Sequence, residues 1–200
     1  MPNLTCNLSC MYCAIGKVKT NSTYNTDGYK LAEAAIDLAR ETQHNEIVLH
    51  GGEPLLWNIR ELEKFLRMVS YAGLRPAVQT NATLITEKHI ELFDQYNVAV
   101  GVSIDGGPDI GLSRGFWNDS ESVIDNSKVV EKIMKNIKKM VERGINVGVI
   151  IVVHKLNLSD PDKINKLAKF ITWLRDIGIR DGRLNPAFNS PNELKWDELL

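Results

Sequence analysis

Cys6-Asn7-Leu8-Ser9-Cys10-Met11-Tyr12-Cys13 holds every cysteine of the 200-residue chain, in the spacing C-x3-C-x2-C. Thiolates are soft ligands that select iron–sulfur clusters, zinc or Cu(I). A four-iron cluster normally takes four cysteines, one for each iron. Three on one loop, with no fourth elsewhere in the sequence, leave one iron without a protein ligand. An open coordination position is where a substrate or cofactor binds a metal, the same logic that keeps catalytic zinc sites one ligand short. The stretch therefore reads as a [4Fe–4S] site on Cys6, Cys10 and Cys13 with a vacant corner. Two other readings stay open at this point. One is a structural zinc site closed by His44, His50, His89 or His154, although zinc sites usually pair C-x2-C with a second distant group. The other is three ordinary buried cysteines, which a polar loop does not favour.

Size and charge narrow the field. Two hundred residues suffice for one domain with a sizeable core. Apolar content of 44% and charged content of 24% are ordinary for a soluble globular protein. A net charge of −1 makes no electrostatic case for nucleic acid or an anionic membrane. The longest apolar run, Val147 to Val153, is broken by Gly148 and is far too short to span a bilayer. The N-terminus carries no charged-then-apolar leader. Clustered cysteines in odd number argue against a disulfide scaffold and for a reducing, cytoplasmic compartment.

Outward from the cysteine loop, apolar spacing alternates between two periods. Helices are expected over residues 29–41, from Asn58 to Gly73, from Thr86 to Tyr96, from Val129 to Gly144 and from Ser159 to Gly178. Asn58 followed by Glu61 has the form of a capping box. Strands are expected at 46–50, 76–80, 98–104, 145–153 and 182–187, with residues 2–5 as the tail of a first one. Ser190-Pro191-Asn192-Glu193 opens a last short helix. The loop over about 105–125 exceeds the usual connection length and so is a candidate functional segment.

Strand and helix thus repeat about six times, which implies a parallel sheet with right-handed crossovers. A closed eight-unit barrel typically takes about 250 residues. The expectation is an α/β fold: a partial (β/α)6 TIM-type barrel, an open parallel sheet with helices outside. Ligands in such folds sit at the C-terminal ends of the strands. The unusual residue groups all fall there: the cysteine loop, Gly51-Gly52-Glu53-Pro54, Thr80-Asn81, Asp105-Gly106, His154-Lys155 and Asn185-Pro186.

The cysteine spacing, with an aromatic residue before the last cysteine, resembles the radical S-adenosylmethionine (radical SAM) superfamily. Cys-Asn-Leu-x-Cys-x-Tyr-Cys is most similar to the branch of anaerobic sulfatase-maturating enzymes and SPASM-type peptide maturases. The resemblance implies a partial (β/α)6 barrel core, and a [4Fe–4S] cluster whose open iron binds S-adenosylmethionine. Its chemistry is reductive cleavage of that cofactor to a 5'-deoxyadenosyl radical, which abstracts hydrogen from a peptide or protein side chain. It further implies an external one-electron reductant such as flavodoxin or ferredoxin. Related enzymes carry a C-terminal extension with further cysteines for auxiliary clusters. Residues 1–200 are therefore expected to be one core domain, trimmed at either end, without the auxiliary-cluster domain. The alternatives are a zinc-stabilised α/β binding module without radical chemistry, and a radical enzyme acting on a small molecule.

Carried onto this sequence, the resemblance marks further residues. Gly51, Gly52, Glu53 and Pro54 match the GGEP segment that contacts the cofactor's amino group, and glycine lets backbone approach a ligand without Cβ obstruction. Glu53 has two readings, a ligand contact or a holder of its loop. Thr80-Asn81-Ala82 stands where Thr-Asn-Gly is usual, and Ala is a poor fit wherever φ must be positive. Ser103 can donate to a carboxylate, and Asp105 can accept from ribose hydroxyls or simply form a turn before Gly106. Tyr12 matches the aromatic placed against adenine, and Val152, within Ile151 to Val153, offers the same base an apolar wall. Arg114 stands near an arginine that could clamp the cofactor carboxylate, but the His-Asp pair that usually precedes it is missing. His50 reads as an ordinary strand-end histidine.

Overall fold

The computed structural model describes residues 4–13, 26–115 and 126–187. Five strands form one all-parallel sheet in sequence order: β1 Glu46–Leu49, β2 Arg75–Thr80, β3 Ala99–Ser103, β4 Val147–Val153 and β5 Asp181–Pro186. Helices α1 Gly28–Glu41, α2 Ile59–Tyr71, α3 Glu87–Gln95, α4 Ser127–Glu142, a single turn α5 Lys155–Leu158 and α6 Pro161–Asp176 make up the rest, with a short 3-10 turn at Pro54–Leu56. This is the expected α/β architecture with an open parallel sheet. Of the six expected strand positions, five form. Residues 2–3 and the helix expected from Ser190 lie outside the described residues, and Leu4-Thr5 is not strand.

The sheet buries one face, and the sequence alternation shows which. In β4, Val147, Val149, Ile151 and Val153 are buried, while Gly148, Ile150 and Val152 between them are half-buried. Parallel register carries that division across neighbours, with Val102 beside Val149, and Gly101 and Ser103 beside Gly148 and Ile150. Val78, Val100, Val102, Val149 and Ile151 join one core with Leu62, Phe65 and Leu66 of α2 and Ile133, Ile137 and Met140 of α4. Burying each such side chain contributes about 1.5–3 kcal/mol. The other face, with Gln79, Gly101, Ser103, Ile150 and Val152, stays outside that core and forms the inner wall of the open barrel.

Local signals place the helices. Asp27 caps α1 by accepting from the N–H groups of Tyr29 and Lys30. Asn58 caps α2 by accepting from Arg60, but Glu61 does not close the box back onto it. The Glu61 carboxylate instead accepts from the Gly28 N–H at 2.8 Å and pairs with Lys64 at 2.7 Å, joining the start of α1 to α2. A Cβ on Gly28 would lie 2.2 Å from the Glu61 carbonyl oxygen, so only glycine permits this approach. In α3 the box is closed by Thr86 and His89. α5 escaped the periodicity because a single turn carries too few residues to show it.

Candidate functional site

Two fully buried carboxylates, Glu53 and Asp105, organise the C-terminal ends of the strands. Each is only 1% and 0% exposed, respectively. An unpaired buried charge would be costly, so the informative question is which donors surround each one.

Glu53 follows β1. Its Oε1 accepts from the Leu55 N–H at 3.0 Å and the Thr80 hydroxyl at 2.6 Å, and its Oε2 accepts from the Asn81 N–H at 2.7 Å. The first contact makes Glu53 the cap of the 3-10 turn that begins at Pro54. The others tie the tip of β1 to the tip of β2. Burial raises its pKa, opposed by those three hydrogen bonds. The holder reading of Glu53 accounts for every one of these contacts. Gly51 before it adopts φ 138°, a conformation L side chains rarely take. Gly52 passes so close to the start of the cysteine loop that a Cβ would lie 2.0 Å from the Thr5 carbonyl oxygen. That oxygen accepts the Glu53 N–H at 2.8 Å.

The cysteine loop is thereby seated on the strand tips. Asn81, beyond β2, donates through Nδ2 to Cys6 Sγ at 3.7 Å and to Asn7 Oδ1 at 2.9 Å. Asn7 in turn donates to the Thr83 hydroxyl at 2.8 Å. The Leu8 N–H also reaches Cys6 Sγ, at 3.4 Å. Ala82 adopts φ 57°, so the turn keeps its left-handed geometry without glycine. Its carbonyl is held by Asn136 Nδ2 at 2.8 Å, from α4. On the far side of the loop, Ser9 and Met11 donate their N–H groups to the carbonyls of Gly115 and Ser113 at 2.9 and 3.0 Å.

Asp105 gathers that far side. β3 ends at Ser103, so Asp105 leaves the strand alternation and turns into the protein. Its Oδ1 accepts from the Val152 N–H at 3.0 Å and pairs with Arg114 Nη2 at 3.4 Å. Its Oδ2 accepts from the Tyr12 hydroxyl at 2.5 Å and the Ser113 hydroxyl at 3.1 Å. No acceptor position is left over for a ribose, and the contacts make Asp105 a structural anion. Arg114 is 7% exposed. It reaches the Tyr12 hydroxyl through Nη2 and Cys10 Sγ through Nη1, the latter at 3.8 Å. Its Nε is buried without a hydrogen-bond partner. Asp105, Tyr12 and Cys10 hold the guanidinium firmly protonated despite burial.

His154, immediately after β4, completes the network. Its Nδ1 accepts from the Leu156 N–H at 3.1 Å, which leaves the proton of the neutral ring on Nε2, 2.8 Å from the Ser113 hydroxyl. Burial lowers its pKa and keeps it neutral. Asn157 on α5 donates to the carbonyls of Asp105 and Val152, both at 2.9 Å. Neither Ser113 nor Asn157 carried a sequence signal. His154 did, by its place after a strand, and it serves the network as a hydrogen-bond partner.

Ser103 and Val152 line the inner wall. Gln79 Nε2 donates to the Ser103 hydroxyl at 2.8 Å, leaving the serine O–H to donate outward. Val152 is the half-buried member of its trio; Ile151 and Val153 face the helices and are core. They form no wall for a ligand, because strand alternation sends them to the opposite side. His50 is exposed at the tip of β1, as expected.

Whether these residues suit an iron–sulfur cluster is a matter of donors. All three cysteines are outside any disulfide and half-buried. Burial pushes the Cys6 thiol up to about 11 and raises Cys10 as well, so neither is a ready thiolate alone. A bound metal supplies the charge that deprotonates such ligands. N–H groups already point at Cys6 and Cys10, and a buried cation lies beside Cys10. The set fits the cluster. Three of the four histidines named for a zinc site are engaged elsewhere, His44 with Thr42, His89 with Thr86 and His154 with Ser113, and the fourth, His50, is exposed at the tip of β1. Among the described residues, the three cysteines included, no three His, Cys, Asp or Glu side chains converge on a single ion.

An open α/β barrel with three soft ligands seated on its strand tips defines a class of metal-cluster proteins. Within that class the family is settled by sequence: residues 2–168 match the Radical SAM superfamily, and the chain belongs to it. It is 30% identical over 175 residues to a cysteine-type anaerobic sulfatase-maturating enzyme of Clostridium novyi, covering 82% of this chain and 45% of that protein. A serine-type anaerobic sulfatase-maturating enzyme of Bacteroides thetaiotaomicron is 28% identical over 166 residues, covering 78% of this chain and 39% of that one. The fold is shared with the structure of anSMEcpe with bound AdoMet, at a TM-score of 0.74 and 21% identity over 98% of this chain and 54% of that one. Streptococcus suis SuiB bound to S-adenosylmethionine gives a TM-score of 0.70 at 16% identity, over 97% of this chain and 42% of that one. The chain spans about half the length of the curated relatives it matches, 57% and 45% for two of them.

Proposed function

We propose that this chain is the cluster- and cofactor-binding core of a radical SAM enzyme whose substrate is a peptide or protein side chain. The observation that carries the reading is the seating of Cys6 and Cys10 against Asn81, just after β2, and Arg114, in the loop that follows β3. When bound, the cluster and S-adenosylmethionine supply one-electron cleavage of the sulfonium to a 5'-deoxyadenosyl radical. Cys6, Cys10 and Cys13 hold the cluster by three of its irons. Gly51 and Gly52 offer backbone groups to the zwitterionic end of the cofactor, while Glu53, Pro54, Thr80 and Asn81 fix the shape of that backbone. The Ser103 hydroxyl donates to the carboxylate, and the Nε of Arg114, buried without a hydrogen-bond partner, is a further donor. Tyr12, pinned through its hydroxyl, and Val152 present faces to the adenine. Asp105 orients Tyr12 and Arg114.

The choice of a peptide substrate follows the likeness to sulfatase-maturating enzymes and to SuiB, which has been captured with its precursor peptide SuiA. An external reductant of the flavodoxin or ferredoxin kind and a cytoplasmic setting belong to the same proposal. Among the described residues no helix is long and apolar enough to cross a membrane. Anaerobic reconstitution tests the reading. The expected result is brown protein containing iron and sulfide that converts S-adenosylmethionine and reductant to 5'-deoxyadenosine, with loss of both on Cys10→Ala. Colourless protein retaining one zinc ion would overturn it in favour of a binding module.

A further inference from the structure

We propose that Asn81 and Arg114 set the reduction potential of the cluster, by donating N–H groups to the sulfurs of two of its cysteine ligands. The inference rests on the cluster-binding reading above and deepens it. Hydrogen bonds to cluster sulfurs and the net charge around them are the levers by which a protein tunes an iron–sulfur potential. Both levers are present here. Asn81 Nδ2 lies 3.7 Å from Cys6 Sγ, and Arg114 Nη1 lies 3.8 Å from Cys10 Sγ. The two donors are held in place by the two carboxylate hubs. Glu53 fixes the Asn81 backbone at 2.7 Å, and Asn81 Oδ1 is locked by the N–H and hydroxyl of Thr83 at 2.9 and 2.6 Å. Asp105 and Tyr12 hold Nη2 of Arg114, which aims Nη1 at the sulfur.

Charge gives the argument its sign. Arg114 is almost fully buried, so its positive charge acts on Cys10 through protein rather than water, where Coulomb interactions are stronger. A donor or a cation stabilises the reduced cluster, which carries one more electron, and so raises the potential. Asp105, fully buried and 3.4 Å from Arg114, partly offsets that charge. Asp105 is a positioning residue that acts through Arg114. Its removal and the removal of Arg114 should therefore move the potential in opposite directions. A merely structural role, in which either change loosens the site, would move it one way for both.

The test is an electron paramagnetic resonance redox titration of the reconstituted protein without S-adenosylmethionine, so that cofactor binding plays no part. Arg114→Met should disfavour the reduced cluster about tenfold, a fall of about 59 mV for one electron. Arg114→Lys, which keeps the charge but not the planar fork, should recover at least half of that change. Asn81→Leu should lower the equilibrium about threefold, and Asp105→Asn should raise it. Should Asp105→Asn fail to assemble a cluster, the contrast between Arg114→Met and Arg114→Lys decides the matter. Changes below about 1.5-fold for both Arg114→Met and Asn81→Leu, or shifts of one sign for all variants, overturn the inference while leaving the cluster reading intact. Wild-type protein that takes up no iron and sulfide overturns both.

Discussion

Replacing Glu53 separates its two possible roles, because holding a loop and touching a ligand predict different losses. Glu53→Ala removes the acceptor for three buried donors: the Leu55 N–H, the Thr80 hydroxyl and the Asn81 N–H. A hydrogen bond to a charged group is worth about 1.5–3 kcal/mol, and an orphaned buried donor costs about 1–3 kcal/mol. The terms do not add in full. Burial already penalises the carboxylate, as its raised pKa records, and water can enter the space an alanine leaves. Three orphaned donors at about 1–3 kcal/mol each, partly relieved in this way, give about 3–5 kcal/mol. Glu53→Gln keeps the volume but turns one acceptor into a donor, leaving about one N–H or O–H unmatched, for about 1–3 kcal/mol. Urea denaturation of the metal-free protein reads both. With m of about 2 kcal/mol/M, the midpoint should fall by about 1.5–2.5 M for alanine and about 0.5–1.5 M for glutamine. A midpoint within about 0.3 M of wild type for Glu53→Ala, together with lost S-adenosylmethionine binding by the loaded protein, would refute the holder role.

Other substitutions probe the same geometry at lower cost. Gly52→Ala places a Cβ 2.0 Å from the Thr5 carbonyl oxygen; a destabilisation of about 2–4 kcal/mol from overpacking and the strained Glu53–Thr5 hydrogen bond, with poor iron uptake, is expected in denaturation and metal analysis. Gly101→Ala would meet the movable end of Gln79 at 2.1 Å; stability should change by less than about 1 kcal/mol, while loss of the hydrogen bond to Ser103 weakens S-adenosylmethionine binding about fivefold in calorimetry. Ala82→Gly relieves a left-handed strain of about 1–2 kcal/mol but loses a buried methyl worth about 0.8 and raises unfolded-chain entropy by about 0.4–1 kcal/mol, so its melting point should scarcely move. Burial holds the His89 pKa below its ordinary 6.5; its stabilising contribution is complete above that value and lost as pH falls towards the folded value, because the unfolded chain takes the proton first. Urea midpoints at pH 7.5 and 5.5 should therefore converge more closely in His89→Asn than in wild type.

Periodicity made the sheet legible because its two faces meet different surroundings. The Val147–Val153 strand alternates buried and half-buried positions without exception, and such a pattern has few competing explanations. The cysteines and the GGEP segment were legible as short motifs whose spacing carries mechanism. What stayed hidden depended on contacts between residues far apart in sequence. Asp105 meets Tyr12 across 93 positions, and nothing local distinguishes it from a turn-forming aspartate. Glu61 sits where a capping box would use it, yet tertiary contact with Gly28 takes its carboxylate. Ala82 argued for a changed turn, but Asn136 from α4 holds the carbonyl and the turn keeps its shape. Propensity at one position yields when several fixed hydrogen bonds demand a different answer.

The two carboxylates at the strand tips also say what kind of ligand the opening can receive. Asp105 accepts from four protein donors and Glu53 from three, so Asp105 has no acceptor position left over and Glu53 about one. The groups proposed above to meet the cofactor are mostly neutral: glycine backbone, the Ser103 hydroxyl, the side chain of Val152 and the ring of Tyr12. The charge nearest them is the guanidinium of Arg114, whose Nε still lacks an acceptor. A dianionic phosphate ligand would find the buried guanidinium of Arg114 already paired with Asp105. A zwitterion with a single carboxylate, an amino group for backbone carbonyls and an apolar base for Val152 matches the set group for group. The hydrogen bonds of Glu53 and Asp105 that seat the cysteine loop thus commit most of their acceptor capacity to the protein, which suits the sulfonium amino acid nucleotide proposed above.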